Sequence, residues 1–176
     1  SPSDKVIIGS DGWLFFTGNK VIENYRRLRP FKEYQLERTR QHLEAKRDWL
    51  KARGIEYLYV VAPDKHTIYP EYIPSRISTQ PEPSRLDQLI AYLEEKSDFR
   101  IIDLRKAMFD FKEDHTLYHK TGTHWNLHGA KVGYNEVARH LKGIFPVFSP
   151  TPDEGYEPYL EDGAPRDLGT IIGIPG

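Results

Sequence analysis

The chain of 176 residues contains no cysteine. That excludes disulfides and thiolate-held metals, and it leaves the redox compartment open. The chain also has no surplus of one charge. Its 25 Lys and Arg stand against 26 Asp and Glu, interleaved along the sequence, so a nucleic-acid backbone is not an expected partner. No apolar run approaches the length of a membrane span. The start, Ser1-Pro2-Ser3-Asp4-Lys5, lacks the charged and apolar regions of a signal peptide. It reads as a trimmed end from which a leader has been removed. What is present is a globular composition, 38% hydrophobic and 12% aromatic, expected to form a single domain over residues 1–176.

Local patterns give an element order. In Lys5 to Phe16, two apolar runs flank Gly-Ser-Asp-Gly, a turn composition, which predicts a hairpin. From Phe31 to Arg53 the chain is charged, with Tyr34, Leu36, Leu43, Trp49 and Leu50 near helical spacing, and Gly54 stands where a C-cap belongs. Ile55 to Ala62 is β-branched and aromatic and reads as a buried strand closed by Pro63. A long Pro-rich loop follows. Ser84 and Asp87 then cap a helix running to about Lys96. Phe99 to Leu104 reads as a second strand, leading into a helical Arg105 to Glu113. Asn126 caps a helix carrying Val132, Tyr134, Val137, Leu141 and Ile144. Strands alternating with amphipathic helices predict an α/β layered fold with a mainly parallel sheet. Ligands in such folds bind beyond the carboxyl ends of the strands. Asp64-Lys65-His66, Asp103 and His124 should then share one rim.

Two blocks carry chemistry. Four histidines, His115, His119, His124 and His128, form two pairs at i, i+4 spacing. On one helix that spacing would suit zinc. However, Thr121-Gly122-Thr123 interrupts any helix between the pairs, and no glutamate completes an H-E-x-x-H site, so no metal is expected. His124 stands apart. It follows two threonines and precedes Trp125, which can wall a site, and Asn126, which can cap the helix. The dipole at a helix start resists charging of an imidazole and favours its base form. A base also needs a carboxylate on its other nitrogen. From spacing alone, a packed histidine and a catalytic one stand equal. The second block is Val60 to Pro74. There Asp64 and Lys65 could bind an anionic group or pair with each other, and Tyr69 and Tyr72 could stack on sugar rings or brace the loop.

The set "VIIGSDGWLFF", "YVVAPDKHTIYPEYIP" and "YHKTGTHWNLHGA", in this order and spacing, resembles the SGNH hydrolase-like domain of the alginate O-acetyltransferase AlgJ/AlgX family. The tail "RDLGTIIGIPG" is similar to that family's Asp-Leu-Ala-x-Met-Leu-Gly segment. The resemblance implies a flavodoxin-like α/β sheet with permuted motif order: an early Asp-x-His and a late Gly-Asp-Ser-like block. It implies an exported, periplasmic protein that passes an acetyl group from a serine ester to a polysaccharide hydroxyl. No cofactor is implied, and the acetyl donor would be a membrane-bound acyl transferase.

Residue by residue, His124 falls on the catalytic histidine. Gly122 stands where the family carries aspartate, so Asp64 or Asp103 is the expected orienter. Lys65, Tyr69, Trp125 and Asn126 are the expected substrate contacts. No serine here sits in a Gly-Asp-Ser-like turn. The nucleophile is therefore expected beyond Gly176, and the domain is expected to be incomplete. Two alternatives remain: a glycan-binding or assembly module without catalysis, and an acetyl esterase in which water replaces the sugar.

Overall fold

A computed structural model describes residues 4–150 and 166–174. The Ser1-Pro2-Ser3 end, most of the second Pro-rich stretch and the last two residues lie outside the described residues. In chain order the elements are β1 (Val6–Ile8), β2 (Leu14–Phe16), α1 (Val21–Tyr25), α2 (Glu33–Lys51), β3 (Tyr59–Val61), α3 (Lys65–Ile68), α4 (Arg85–Lys96), β4 (Ile101–Asp103), α5 (Arg105–Phe111), α6 (Leu127–Ile144) and α7 (Asp167–Ile171). The chain divides into two compact units that it enters in alternation.

The first unit takes the chain up to Asn19, Ala62–Arg76, and everything from Asp103 on. The predicted hairpin is there. β1 and β2 pair antiparallel, Val6 with Phe16 and Ile8 with Leu14. The turn works because Asp11 and Gly12 both take positive φ, 51° and 78°, a conformation open to Asp and Gly. α7 lies against β2. Its Leu168, fully buried, joins Val6 and Leu14 in an apolar cluster flanked by Phe16 and Ile172. α5 packs on α6. A side-chain carbon at Gly133 would lie 3.3 Å from the Trp125 indole and 3.5 Å from Leu104. The small residues of α6 thus make the bed for Trp125.

The second unit takes Lys20–Val61 and Ile77–Ile102. α2 and α4 pack together through Leu36, Leu43, Leu89, Leu93 and Phe99. α4 begins as expected: Ser84 Oγ accepts the Asp87 amide at 3.1 Å, and the Asp87 carboxylate accepts the Ser84 amide at 2.9 Å. α2 ends at Lys51 with Ala52 as its C-cap, and Gly54, two residues on, has φ 70°. This left-handed position is where glycine costs least.

The expected strands are shorter than their β-branched runs. Only Tyr59–Val61 of the Ile55–Ala62 run is strand, and β3 pairs with β4 alone among the described residues. Pro63 offers no amide to extend the ladder past Ala62. The Pro-rich loop is also less irregular than expected. α3 and a 3-10 turn at Pro70–Tyr72 occupy its first part. Among the described residues no helix is long and apolar enough to cross a membrane.

Candidate active site

The loop from His119 to His124 is held on a buried lysine. Lys65, in α3, is 3% exposed. Its ammonium donates to the carbonyls of His119 and Lys120, both at 3.1 Å, and of Gly122 at 2.6 Å. The rings of Trp13 and Phe15 flank the charge at 5.5 and 5.2 Å. Burial pulls the Lys65 pKa down to about 8, while the charge of Asp167 pulls the other way. Lys65 was expected as a substrate contact. The structure puts it inside, because three loop carbonyls need donors there.

Tyr69 is likewise inside, 5% exposed. Its hydroxyl oxygen accepts the Leu117 amide at 2.8 Å, and its ring lies 4.4 Å from Trp13. Tyr118 donates to the Pro63 carbonyl, tying the end of β3's run to this loop's approach. Burial raises the Tyr118 pKa, and the nearby charge of Asp64 raises it further. His66, beside Lys65, is 4% exposed. Its Nε2–H donates to the Phe16 carbonyl at 3.0 Å. Burial lowers its pKa to about 4, so it is neutral at pH 7.

The second anchor of the loop is Asp167, the first residue of α7. One carboxylate oxygen accepts the Thr123 amide at 2.9 Å, and the other accepts the Thr123 hydroxyl at 2.6 Å. Burial opposes ionisation of Asp167. The Thr123 bonds, the Leu168 amide and the charge of His124 outweigh it and hold the carboxyl below its ordinary pKa. The amides of Leu168 and Gly169 donate to the Thr121 carbonyl at 3.1 and 3.0 Å. Asp167 was missed in the sequence. The available signal was an acid opening a short Asp-Leu-Gly-Thr helix within the tail block.

Gly122 is buried between these anchors. A side-chain carbon there would lie 2.9 Å from Arg166 Cβ and 3.2 Å from the Asp167 carboxylate. The position has no room for a carboxylate of its own.

His124 stands on the rigid loop and is exposed. Its carbonyl accepts the His119 amide at 3.3 Å, and among the described residues its imidazole makes no hydrogen bond. Trp125 is half-buried and bridges to Tyr118. Asn126 is occupied by capping. Its Oδ1 accepts the Gly129 amide at 3.1 Å, and its Nδ2 donates to the Thr116 carbonyl at 2.6 Å. Of the two expected orienters, Asp103 is engaged by Arg105, through its amide at 3.0 Å and its guanidinium at 2.7 Å. Asp64 is exposed and opens α3 without capping it, and crowding by protein raises its carboxyl pKa. Neither aspartate bonds to His124. Among the described residues no three His, Asp or Glu side chains gather as a metal site.

The family described as the SGNH hydrolase-like domain of acetyltransferase AlgX matches residues 6–168. The chain belongs to that family. A relative, the alginate biosynthesis protein AlgX of Pseudomonas aeruginosa (strain PAO1), is 32% identical over 124 residues, 66% of this chain. Those residues cover 25% of that protein. The O-acetyltransferase domain of Pseudomonas putida AlgJ is a similar solved structure, with a TM-score of 0.55 and 20% identity. The match covers 84% of this chain and 50% of that one. Bacillus cereus PatB1 matches with a TM-score of 0.54 at 21% identity, over 84% of this chain and 46% of its own. The two structures carry the fold: an SGNH hydrolase-like α/β arrangement. The chain spans half or less of each of these relatives. The THW loop with His124 is the segment that the buried Lys65 and the exposed Asp167 both hold.

Proposed function

We propose that the protein takes part in O-acetylation of an exopolysaccharide or cell-wall glycan, with His124 as the general base. One observation carries this reading. His124 is exposed and among the described residues its imidazole makes no hydrogen bond, while the loop that bears it is pinned from within by Lys65 and from the side by Asp167. A base that must meet two different hydroxyls in turn needs such an imidazole on a fixed support.

The chemistry has two halves. A serine hydroxyl gives its proton to His124 as its oxygen bonds to the acetyl carbon, and the donor's leaving group departs with that proton. The sugar hydroxyl then gives its proton to His124 as it attacks the same carbon, and the serine oxygen leaves and recovers the proton. No serine of the sequence stands in a Gly-Asp-Ser-like block, so the reading takes the nucleophile from sequence outside these 176 residues. Membership of an AlgX-type acetyltransferase family and the name of the alginate biosynthesis relative support the substrate class. The same reading places the protein outside the cytoplasm, receiving acetyl groups from a membrane-bound acyl transferase.

The test is acetyl-ester labelling of the full-length protein, read by intact mass and peptide mapping. One acetyl group should appear on one serine, and His124→Ala should abolish it. An unlabelled full-length protein that still binds the glycan would overturn this in favour of a binding or assembly module. Labelling that discharges to water but never to a glycan would assign an esterase.

A further inference from the structure

A histidine that accepts a proton during turnover becomes an imidazolium, and a fixed negative charge beside it stabilises that form. The immediate neighbourhood of His124 offers few groups for this. The position two residues earlier is Gly122, packed so closely on Arg166 and Asp167 that a side chain would collide with them. Asp103 is bound by the backbone and side chain of Arg105. Asp64 makes no hydrogen bond to the His124 loop. The cationic groups near the loop are Lys65 beneath it, Arg166 beside it and Lys120, whose ammonium donates to the Asp11 carbonyl at 3.3 Å. Among the described residues, the carboxylate of Asp167 is bonded to the loop, and it grips the residue directly before His124 at both its amide and its hydroxyl.

We propose that Asp167 is the positioning residue for His124. Delivered by α7, it fixes Thr123 and supplies the negative charge that no side chain at position 122 can supply. The loop and α7 are built around each other: Thr121 accepts from Leu168 and Gly169, and its hydroxyl accepts the Arg166 amide at 3.2 Å. The carboxylate is therefore part of the wall in which Gly122 sits. The charge of His124 in turn favours the ionised form of Asp167, and the charge of Asp167 favours that of Lys65. This inference rests on His124 being the base, but it can be tested without turnover.

The experiment is a titration of the His124 ring by NMR in the full chain. Asp167→Asn is close to isosteric. It keeps an acceptor for the Thr123 amide and removes the charge. The His124 ring should titrate at lower pH in this variant than in the parent. Thr123→Val removes the hydroxyl donor but leaves the carboxylate, and should leave His124 nearly unmoved. Asp167→Ser, which also removes the charge, gives the same readout should the asparagine variant not fold. An unchanged His124 pKa in the uncharged variants, with the Thr123 amide signal in place, overturns the proposal. So does a shift in Thr123→Val as large as that in Asp167→Asn, since Asp167 would then act only by holding the loop. A shifted His124 in a protein that never acquires acetyl would leave the positioning role standing and sink only the transfer reading.

Discussion

The α2–α4 pair and the His119–His124 loop are held by opposite means. The helix pair buries leucines and a phenylalanine and keeps its charges outside. Arg40 reaches Glu37 and Glu44 at 2.7 and 2.5 Å along its own helix, and Arg47 reaches Asp98 at 2.6 Å. The loop has its charges inside or at its wall. Lys65 and Asp167 come from segments more than forty residues away and end on backbone atoms of a turn. Apolar packing tolerates small movements. Hydrogen bonds from a buried ammonium to three carbonyls do not, since each unmade bond leaves a buried polar group without a partner. The first arrangement gives a scaffold, and the second fixes an imidazole.

The contrast predicts different failure modes, and the largest effect should come from the scaffold. Leu93 is 2% exposed at the centre of the helix pair. Leu93→Ala should cost about 3–4 kcal/mol by denaturant unfolding, from lost transfer energy and the cavity left behind. Amide exchange should accelerate in α2 and α4. An equal acceleration in residues 119–124 would erase the distinction between the two regions.

His66 should make the loop's unit sensitive to acid. Unfolded, its imidazole takes a proton near pH 6.5, but folded only near pH 4. Between these values the unfolded state binds more protons, so stability is lost as pH falls through that window. The full loss, below both values, is up to about 3 kcal/mol for a shift of this size. His66→Gln keeps a donor for the Phe16 carbonyl and does not titrate. Stability curves at pH 7 and pH 4 should differ less for the variant than for the parent. An identical acid slope in both would remove His66 from the account.

How far these regions were legible in the sequence follows the same division. The capping box of Ser84 and Asp87, the Asn126 cap, Gly54 after α2 and the Gly-Ser-Asp-Gly hairpin turn were all readable, because each is set by residues a few positions apart. α1, α3 and α7 were not. They span four or five residues, too short for periodicity to register, and tertiary contacts support them. The THW block marked His124 as the residue to watch, and His124 stands exposed on an anchored loop. The anchors were invisible as anchors. Lys65 read as a rim contact for substrate or a partner of Asp64, and the carbonyls that hold it inside leave no mark on side-chain identity. Asp167 lies 44 residues from Thr123, and nothing local in the sequence links the two.

A smaller effect tests the buried lysine. Lys65→Met replaces the ammonium with an apolar chain of similar length. It strands three carbonyls but also removes a charge that is costly to bury, and apolar replacement of buried charges often returns much of that cost. The net loss should be about 2 kcal/mol, below that of Leu93→Ala, with protection at Gly122 and Thr123 falling while α2 and α4 stay intact. Unchanged exchange in the loop would mean that Asp167 and the Thr121 bonds suffice to hold it.

The smallest effect is expected where charge lies at the surface. Arg47 links α2 to Asp98, and its guanidinium stands over Phe99 at 5.8 Å from the ring centre. Asp98 is largely in water, with 83% of its side chain exposed. The attraction is therefore screened and carries the entropy cost of ordering a long side chain. Arg47→Gln keeps most of the aliphatic stem over Phe99 and drops the charge. Its melting temperature should stay within about two degrees of the parent's. Loop protection at residues 119–124 should not change. A larger fall would mean that the scaffold, too, depends on fixed charge, and the line drawn between the helix pair and the His124 loop would have to move.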